Sequence, residues 1–267
     1  MKALDFEYDG ILLSDLGYTI CTFGSKGLET ISNGSQITFN NVSMFNGSQY
    51  GLVSSVYEET LTATFSICKS ACITRSGDLE ELTVDDISEL MRWLNRKTYH
   101  KFKLMQDGYE NLYFEGSFNI QRYELDGKVY GLELVLVTNR PFALHDETTY
   151  KFKMTEDDLV YKINDISDEI GFIYADVKVV CRSSGDLEIH NSMEDRTTII
   201  KNCSEGEIIT FTYPVVTTSN LGHELQNDFN FNFVRIANKW GDVMNTLTFS
   251  IPCDVELSYI PIKKVGV

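Results

Sequence analysis

Apolar and polar residues alternate with a period of two along much of the 267-residue chain. This pattern is typical of antiparallel β-strands that have one buried face and one exposed face. The alternating runs cover residues 4–8, 101–104, 229–233 and 247–251. Turn-forming pairs separate such runs, at Asp9-Gly10, Asp107-Gly108, Asp126-Gly127 and Gly185-Asp186. Glycine supplies the positive φ that tight hairpins need, so the pattern predicts a mainly β protein.

One segment has the helical spacing instead. Ile87, Leu90, Met91 and Leu94 stand on one face of a helix, and Thr83 precedes them as a favourable N-cap residue. We therefore predict a single helix over about 83–96, packed on the first sheet. The stretch 156–169 is ambiguous between helix and strand.

A proline marks a change in organisation near the middle of the chain. Pro141 follows Asn139-Arg140, and proline ends a β-ladder because it has no backbone N–H to donate. The residues that follow are polar and turn-prone. We predict an N-terminal β domain over 1–140, which contains the helix, and a C-terminal β-sandwich over 141–267.

The charge of the chain is strongly acidic. It has 23 basic and 39 acidic residues, a net charge of −16, and the acidic excess is spread over both halves. Binding to DNA or to anionic lipid draws its energy from Lys and Arg side chains that displace counterions. Neither is therefore expected as the primary ligand.

The N-terminus and the apolar runs give no sign of membrane insertion. Asp5, Glu7 and Asp9 interrupt the stretch where a signal peptide needs unbroken apolar residues. The longest apolar run, 132–137, is interrupted by Glu133 and is far shorter than the roughly 18 residues of a membrane helix. We expect the chain to be made and folded in a cytoplasm.

Motifs of catalysis and metal binding are absent from the sequence. It contains no Walker loop, no dinucleotide-binding glycine motif and no nucleophile elbow, and its four histidines are isolated from each other. Of the six cysteines only Cys68 and Cys72 stand close together, at a spacing that is not typical of a zinc or redox pair. We expect buried thiols, and no catalytic residue, cofactor or metal.

The chain is rich in aromatic residues, with 14 Tyr, 16 Phe and 2 Trp. Most of them occupy alternating positions that indicate core packing. Trp240 differs because it lies in a predicted loop, 238–242. It is the aromatic residue that we single out as a possible ligand or partner contact.

The order of several segments along the chain resembles the phage distal tail protein family. The N-terminal domain is similar to the ring-forming domain of that family in segments 6–10, 16–18, 93–95, 112–118, 131–136 and 139–143. The C-terminal domain resembles the family's galectin-like or carbohydrate-module-like sandwich more loosely, in segments 185–191, 205–207 and 255–261.

This resemblance implies a structural protein without catalytic residues at the tip of a virion tail, in a long-tailed phage, a prophage or a phage-tail-like bacteriocin. It implies a homo-hexameric ring that joins the tail tube protein to the tail-associated tip protein and lets DNA pass as transiting cargo. Receptor-binding or baseplate proteins are further expected partners. Two alternatives stay open: a carbohydrate-binding module that contributes to host-surface adhesion, and an enzyme whose paired carboxylates only the fold would bring together.

Overall fold

The computed structural model describes residues 3–23, 36–44, 49–58, 60–70 and 80–266. Its elements are mostly β-strands, which confirms the predicted mainly β class. The chain divides into two compact units. Unit 1 consists of Met1–Leu144 together with Lys264–Val267, and unit 2 consists of His145–Lys263.

The described residues of unit 1 form one α-helix, one short 3-10 helix and two antiparallel sheets. The helices are α1 (Val84–Leu94) and the 3-10 turn Ser14–Leu16. The strands are β1 (Phe6–Tyr8), β2 (Ile11–Leu12), β3 (Tyr18–Cys21), β4 (Ile37–Met44), β5 (Gln49–Tyr57), β6 (Thr62–Lys69), β7 (His100–Leu104), β8 (Leu112–Leu125) and β9 (Lys128–Thr138). The larger sheet has the order β2-β1-β7-β8-β9-β6-β3, and β4 pairs with β5 in a separate sheet. A short strand, β10 (Ala143–His145), lies where the chain passes from one unit to the other.

Two of the predicted Asp-Gly turns connect neighbouring strands of the larger sheet. Asp9 and Gly10 have φ values of 54° and 79° between β1 and β2, and Asp126 and Gly127 have 51° and 76° between β8 and β9. Two consecutive residues at positive φ match the right-handed twist of a hairpin, which explains why Asp-Gly recurs at these positions.

Helix α1 begins with a reciprocal capping box. The Thr83 hydroxyl accepts a hydrogen bond from the Asp86 backbone N–H at 3.1 Å, and the Asp86 carboxylate accepts one from the Thr83 N–H at 2.8 Å. Ile87, Leu90 and Leu94 are buried on the face that the apolar spacing indicated, but Met91, predicted on the same face, lies at its margin and is 38% exposed. The helix thus packs its apolar stripe into the core of unit 1.

The core of unit 1 is built from aromatic rings. The Phe6 ring centroid lies 5.4 Å from that of Phe102 and 5.8 Å from that of Phe118. Phe65 lies 5.6 Å from Phe102 in the same way. These rings come from four different strands. The inward-facing aromatic residues of the alternating segments therefore pack together in one core.

Unit 2 is formed by strands and one short helix. The strands are β11 (Thr148–Met154), β12 (Val160–Asn164), β13 (Gly171–Tyr174), β14 (Asp176–Cys181), β15 (Gly185–Asn191), β16 (Arg196–Cys203), β17 (Ile208–Thr212), β18 (Val215–Thr218), β19 (Arg235–Asn238), β20 (Met244–Phe249), β21 (Cys253–Tyr259) and β22 (Ile262–Lys263). Five strands form a sheet in the order β11-β21-β14-β17-β18, four form a second in the order β12-β20-β15-β16, and β13 pairs with β19.

The five-stranded and four-stranded sheets share one apolar core. Val179 and Leu257 of the first sheet and Ile189 and Leu247 of the second are all buried in the same cluster. This arrangement is a β-sandwich, in which the inward residues of both sheets interdigitate.

A buried asparagine organises one end of this sandwich. Asn245 is fully buried, and its Oδ1 accepts hydrogen bonds from the Ala237 N–H at 2.9 Å and from Asn191 Nδ2 at 2.8 Å. Its Nδ2 donates to the Ala237 carbonyl oxygen at 2.7 Å. The side chain thus satisfies backbone groups of β19 that another strand would otherwise pair.

Two predictions about strands and turns in unit 2 are wrong. The alternating segment 229–233 is not a strand, because Phe231 has a φ of 58° and turns the chain while Phe229 and Phe233 stay buried. A four-residue helix, α2 (Leu225–Asp228), precedes it and was not predicted. Gly185 does not form a hairpin turn either, since it opens β15 at a register shift opposite Cys203.

Candidate functional site

The hairpin of β4 and β5 is the most exposed apolar feature among the described residues of unit 1. Six of its apolar side chains are exposed, between 44% and 65% of their surface: Ile37, Phe39, Val42, Leu52, Val53 and Val56. A two-stranded hairpin is marginally stable by itself, and an exposed apolar strand invites pairing. The hairpin is therefore a candidate docking surface.

The register of the hairpin sorts these side chains onto two faces. Ile37 and Phe39 share one face because they stand two residues apart on β4. Leu52 joins that face because it pairs with Asn41, the next residue of the same alternation. The opposite face carries Val42 and Val56, and there Asn40 Nδ2 donates a hydrogen bond to the Ser54 hydroxyl at 3.0 Å.

The larger sheet of unit 1 also ends in strands that are paired on one side. Among the described strands, β2 and β3 stand at the two ends of the sheet order. An end strand can accept a further strand through its free backbone N–H and C=O groups. The outer edge of β3 is already covered, because Tyr18 N–H donates to the Leu13 carbonyl oxygen at 3.3 Å and Ile20 N–H donates to the Leu4 carbonyl oxygen at 3.0 Å. Strand β2 pairs with β1 alone among the described strands. Strand β2 and the hairpin thus offer surfaces for association with another chain.

Trp240 lies in a turn between β19 and β20, as predicted for a loop residue. Lys239 and Asp242 close this turn with two backbone hydrogen bonds, 2.8 Å and 3.0 Å long. Lys239 Nζ also donates to the Met193 carbonyl oxygen at 2.6 Å. The turn holds the Trp240 side chain 91% exposed, so the indole ring is displayed to solvent instead of packing in the core.

A second feature of unit 2 is a cluster of three side chains that was not predicted from the sequence. Cys203 Sγ, a carboxylate oxygen of Glu207 and an imidazole nitrogen of His223 lie within 4.8 Å of one another. Cys203 ends β16, Glu207 stands just before β17, and His223 lies in the turn before α2. The side chains of Glu207 and His223 are only 1% and 2% exposed.

The imidazole of His223 lies between two carboxylates. Its Nδ1 is 2.6 Å from Glu207 Oε1, and its Nε2 is 3.3 Å from Asp228 Oδ2. Burial by itself would lower the pKa of His223, but the hydrogen bond and the charge of Glu207 outweigh it and raise that pKa. Burial likewise opposes ionisation of Glu207, yet hydrogen bonds from Thr218, Ser204 and His223 lower its pKa. The two groups therefore form a buried ion pair.

The thiol of Cys203 is protonated in this arrangement. A hydrogen bond with Cys181, followed by burial, raises the pKa of Cys203 far above its ordinary value. Cys68, Cys181 and Cys253 are buried too, as expected for small apolar side chains, whereas Cys21 is only half-buried and Cys72 lies outside the described residues. Sequence spacing could not reveal the cluster, because Cys203 and His223 stand in different elements.

No helix in the described parts of the chain is long and apolar enough to cross a membrane.

Two family models match the chain in succession. A model described as a phage tail protein N-terminal domain matches residues 1–140. A model described as a phage tail C-terminal domain matches residues 142–259. Together they extend over nearly the whole chain, through both units.

The fold is similar to that of a solved phage protein. The crystal structure of the Dit (gp 19.1) protein of phage SPP1 superposes with a TM-score of 0.65 at 12% sequence identity, over 97% of this chain and 99% of that one. That protein is described as a paradigm of the hub adsorption apparatus in phages that infect Gram-positive hosts. No curated protein matches the chain in sequence.

Proposed function

Because the chain belongs to a family of phage tail proteins, we propose that it is a distal tail protein that closes into a hexameric ring at the virion tail tip. The ring joins the tail tube protein to the tail-associated tip protein and carries receptor-binding or baseplate proteins at its periphery. The protein acts through its shape and contacts, without a catalytic step. The shared fold with the SPP1 Dit protein supports this assignment.

The observation that carries the proposal is the exposed hairpin of unit 1. Its face with Ile37, Phe39 and Leu52 is 44–60% exposed, and covering it removes apolar surface from water. A second copy of the chain is the proposed cover, because identical subunits arranged around an axis each present the same hairpin to a neighbour. The end strand β2 offers additional pairing between copies.

The acidic charge of the chain suits a channel through which DNA moves. A net charge of −16 provides few cations for phosphates to bind, so DNA passes without being retained. We infer that DNA is cargo in transit and not a ligand.

The ring is tested by electron microscopy and light scattering on the purified chain. We expect six-fold rings with a central hole, and Phe39→Ser should shift the protein to monomers while its circular dichroism stays unchanged. Ser54→Ala, on the opposite face of the same hairpin, is the matched control and should still form rings. A wild-type chain that stays monomeric at micromolar concentration, or a Phe39→Ser variant that assembles normally, contradicts the proposal.

A second candidate function rests on Trp240. An indole ring displayed on a closed turn is suited to stacking on a sugar ring, and this favours a carbohydrate-binding role of unit 2 in host-surface adhesion. Such a role is compatible with the ring. The resemblance to galectin-like or carbohydrate-module-like sandwiches points to the same ligand class.

Glycan-array binding separates this role from pure scaffolding. We expect binding to a bacterial cell-wall glycan that Trp240→Ala abolishes. Leu221→Ala changes another fully exposed apolar residue of unit 2 and should leave the binding intact. If the wild-type protein binds none of the cell-wall glycans on the array, only the structural role remains.

A further inference from the structure

The cluster of Cys203, Glu207 and His223 has the composition of a transition-metal site. A thiol, an imidazole and a carboxylate are the three ligand types that zinc accepts, whereas calcium and magnesium take oxygen ligands alone. The three donor atoms already lie within 4.8 Å of one another, on side chains that are almost completely buried. They require little movement to converge on one ion.

We propose that unit 2 binds one zinc-class divalent ion through Cys203 Sγ, Glu207 and His223 Nδ1. The contact of 2.6 Å between His223 Nδ1 and Glu207 Oε1 is a hydrogen bond. In a tetrahedral site with bonds of about 2.1 Å, these two atoms stand about 3.4 Å apart. The ion therefore replaces the shared proton, and the pair separates by less than about 1 Å.

The groups around the cluster support its use as a metal site. His223 Nε2 is buried and has no hydrogen-bond partner among the described residues, although Asp228 Oδ2 lies 3.3 Å away. A histidine that binds a metal through one nitrogen usually donates its other N–H to a carboxylate, and Asp228 is placed for that role. Cys181, in hydrogen-bond contact with Cys203, or a water molecule is available for the fourth position.

The charges balance with and without the ion. In the metal-free chain the Cys203 thiol is neutral, and the imidazolium of His223 pairs with the Glu207 carboxylate. Binding of M²⁺ displaces one proton from the thiol and one from the imidazolium, and both protons leave to solvent. The thiolate and the carboxylate then compensate the two positive charges of the ion, so no net charge is buried.

Metal analysis of the full chain tests this inference independently of the ring. The wild-type chain, purified without chelator, is expected to carry one zinc ion, and cobalt in its place should give a thiolate-to-cobalt charge-transfer band. Both should be lost in Cys203→Ser and kept in Cys68→Ser, which alters a buried thiol of unit 1. His223→Gln should weaken zinc binding at least tenfold.

Three outcomes overturn the inference. They are a folded wild-type chain that takes up neither zinc nor cobalt, a folded Cys203→Ser variant that keeps the cobalt band, and a chelator-treated wild-type chain whose Tm does not rise when zinc is restored. The last measurement needs no variant, so it decides the matter even when Cys203→Ser does not fold.

Discussion

The Trp93 indole nitrogen donates a hydrogen bond to the Tyr8 carbonyl oxygen at 3.1 Å, and this contact joins helix α1 to strand β1. The Trp93 ring also stacks on Phe6, with centroids 5.9 Å apart. The helix is thus part of the aromatic core of unit 1 and does not merely cover its sheet.

Leu90→Ala is expected to destabilise unit 1 by about 2–5 kcal/mol, because Leu90 is 2% exposed and its truncation leaves a cavity under the helix. Chemical denaturation followed by circular dichroism measures the loss. Met91→Ala is the matched control, since Met91 neighbours it in the helix but is 38% exposed, and it should cost less than about 1 kcal/mol. Equal losses for the two variants would contradict the observed burial.

Asp86 gives unit 1 a defined response to acid. Burial disfavours its carboxylate, but hydrogen bonds from Lys69 and Thr83 outweigh that effect and lower the pKa to about 2. Because this pKa lies below that of an unfolded aspartate, about 3.9, the stabilisation is present above pH 4 and is lost as the pH falls toward about 2. Denaturation curves of wild type and Asp86→Asn should therefore converge over that pH range.

Lys69→Met tests the cause of this acid response. Lys69 Nζ lies 2.9 Å from Asp86 Oδ2, so removing the ammonium should raise the Asp86 pKa, as measured by NMR titration. An Asp86 pKa that stays at about 2 in Lys69→Met would assign the shift to the capping box alone.

Gly131→Ala should destabilise unit 1 by about 1–3 kcal/mol. A Cβ at position 131 would lie 2.6 Å from the Ile67 carbonyl oxygen and would collide with the Phe23 ring, so the backbone must shift. Gly222→Ala is the comparison, because there the nearest atom lies at an ordinary 3.5 Å. Thermal unfolding should show a lower Tm for Gly131→Ala alone.

Asn245→Ala should cost unit 2 at least about 2 kcal/mol. The change leaves the Ala237 N–H and the Asn191 amide without their shared acceptor, and each unpaired buried group costs roughly 1–3 kcal/mol. Asn227→Ala removes an exposed hydrogen bond to Glu224 and should change stability by less than about 0.5 kcal/mol. A neutral Asn245→Ala would mean that water replaces the side chain.

Local signals made much of the fold predictable from the sequence. The φ values of Asp9-Gly10 and Asp126-Gly127 are those that tight turns demand, and the Thr83 cap marks where α1 begins. The strand predicted over 229–233 is absent, because the alternation of apolar and polar residues does not determine the backbone conformation. Phe231 has a positive φ there, and no local sequence pattern predicts a positive φ for a phenylalanine.

The candidate sites depend on long-range contacts, and this limits what spacing can predict. Trp240 was recognisable because loop position and residue type suffice to suggest exposure. Cys203 and His223 were not, because the end of one strand and a distant turn meet only in the folded sandwich. The exposed face of the β4–β5 hairpin was equally hidden, since its alternation resembles that of a strand whose apolar side is buried.

The two tryptophans of the chain fall one in each unit, and their surroundings differ. Trp93 is partly buried among aromatic rings, whereas Trp240 stands in water. Their fluorescence emission maxima should therefore differ. The emission of Trp93 in unit 1 should be blue-shifted, and that of Trp240 in unit 2 should be red-shifted and readily quenched. Each unit thus has its own intrinsic fluorophore. Unfolding of unit 1 and ligand binding near Trp240 in unit 2 can each be followed without any added dye.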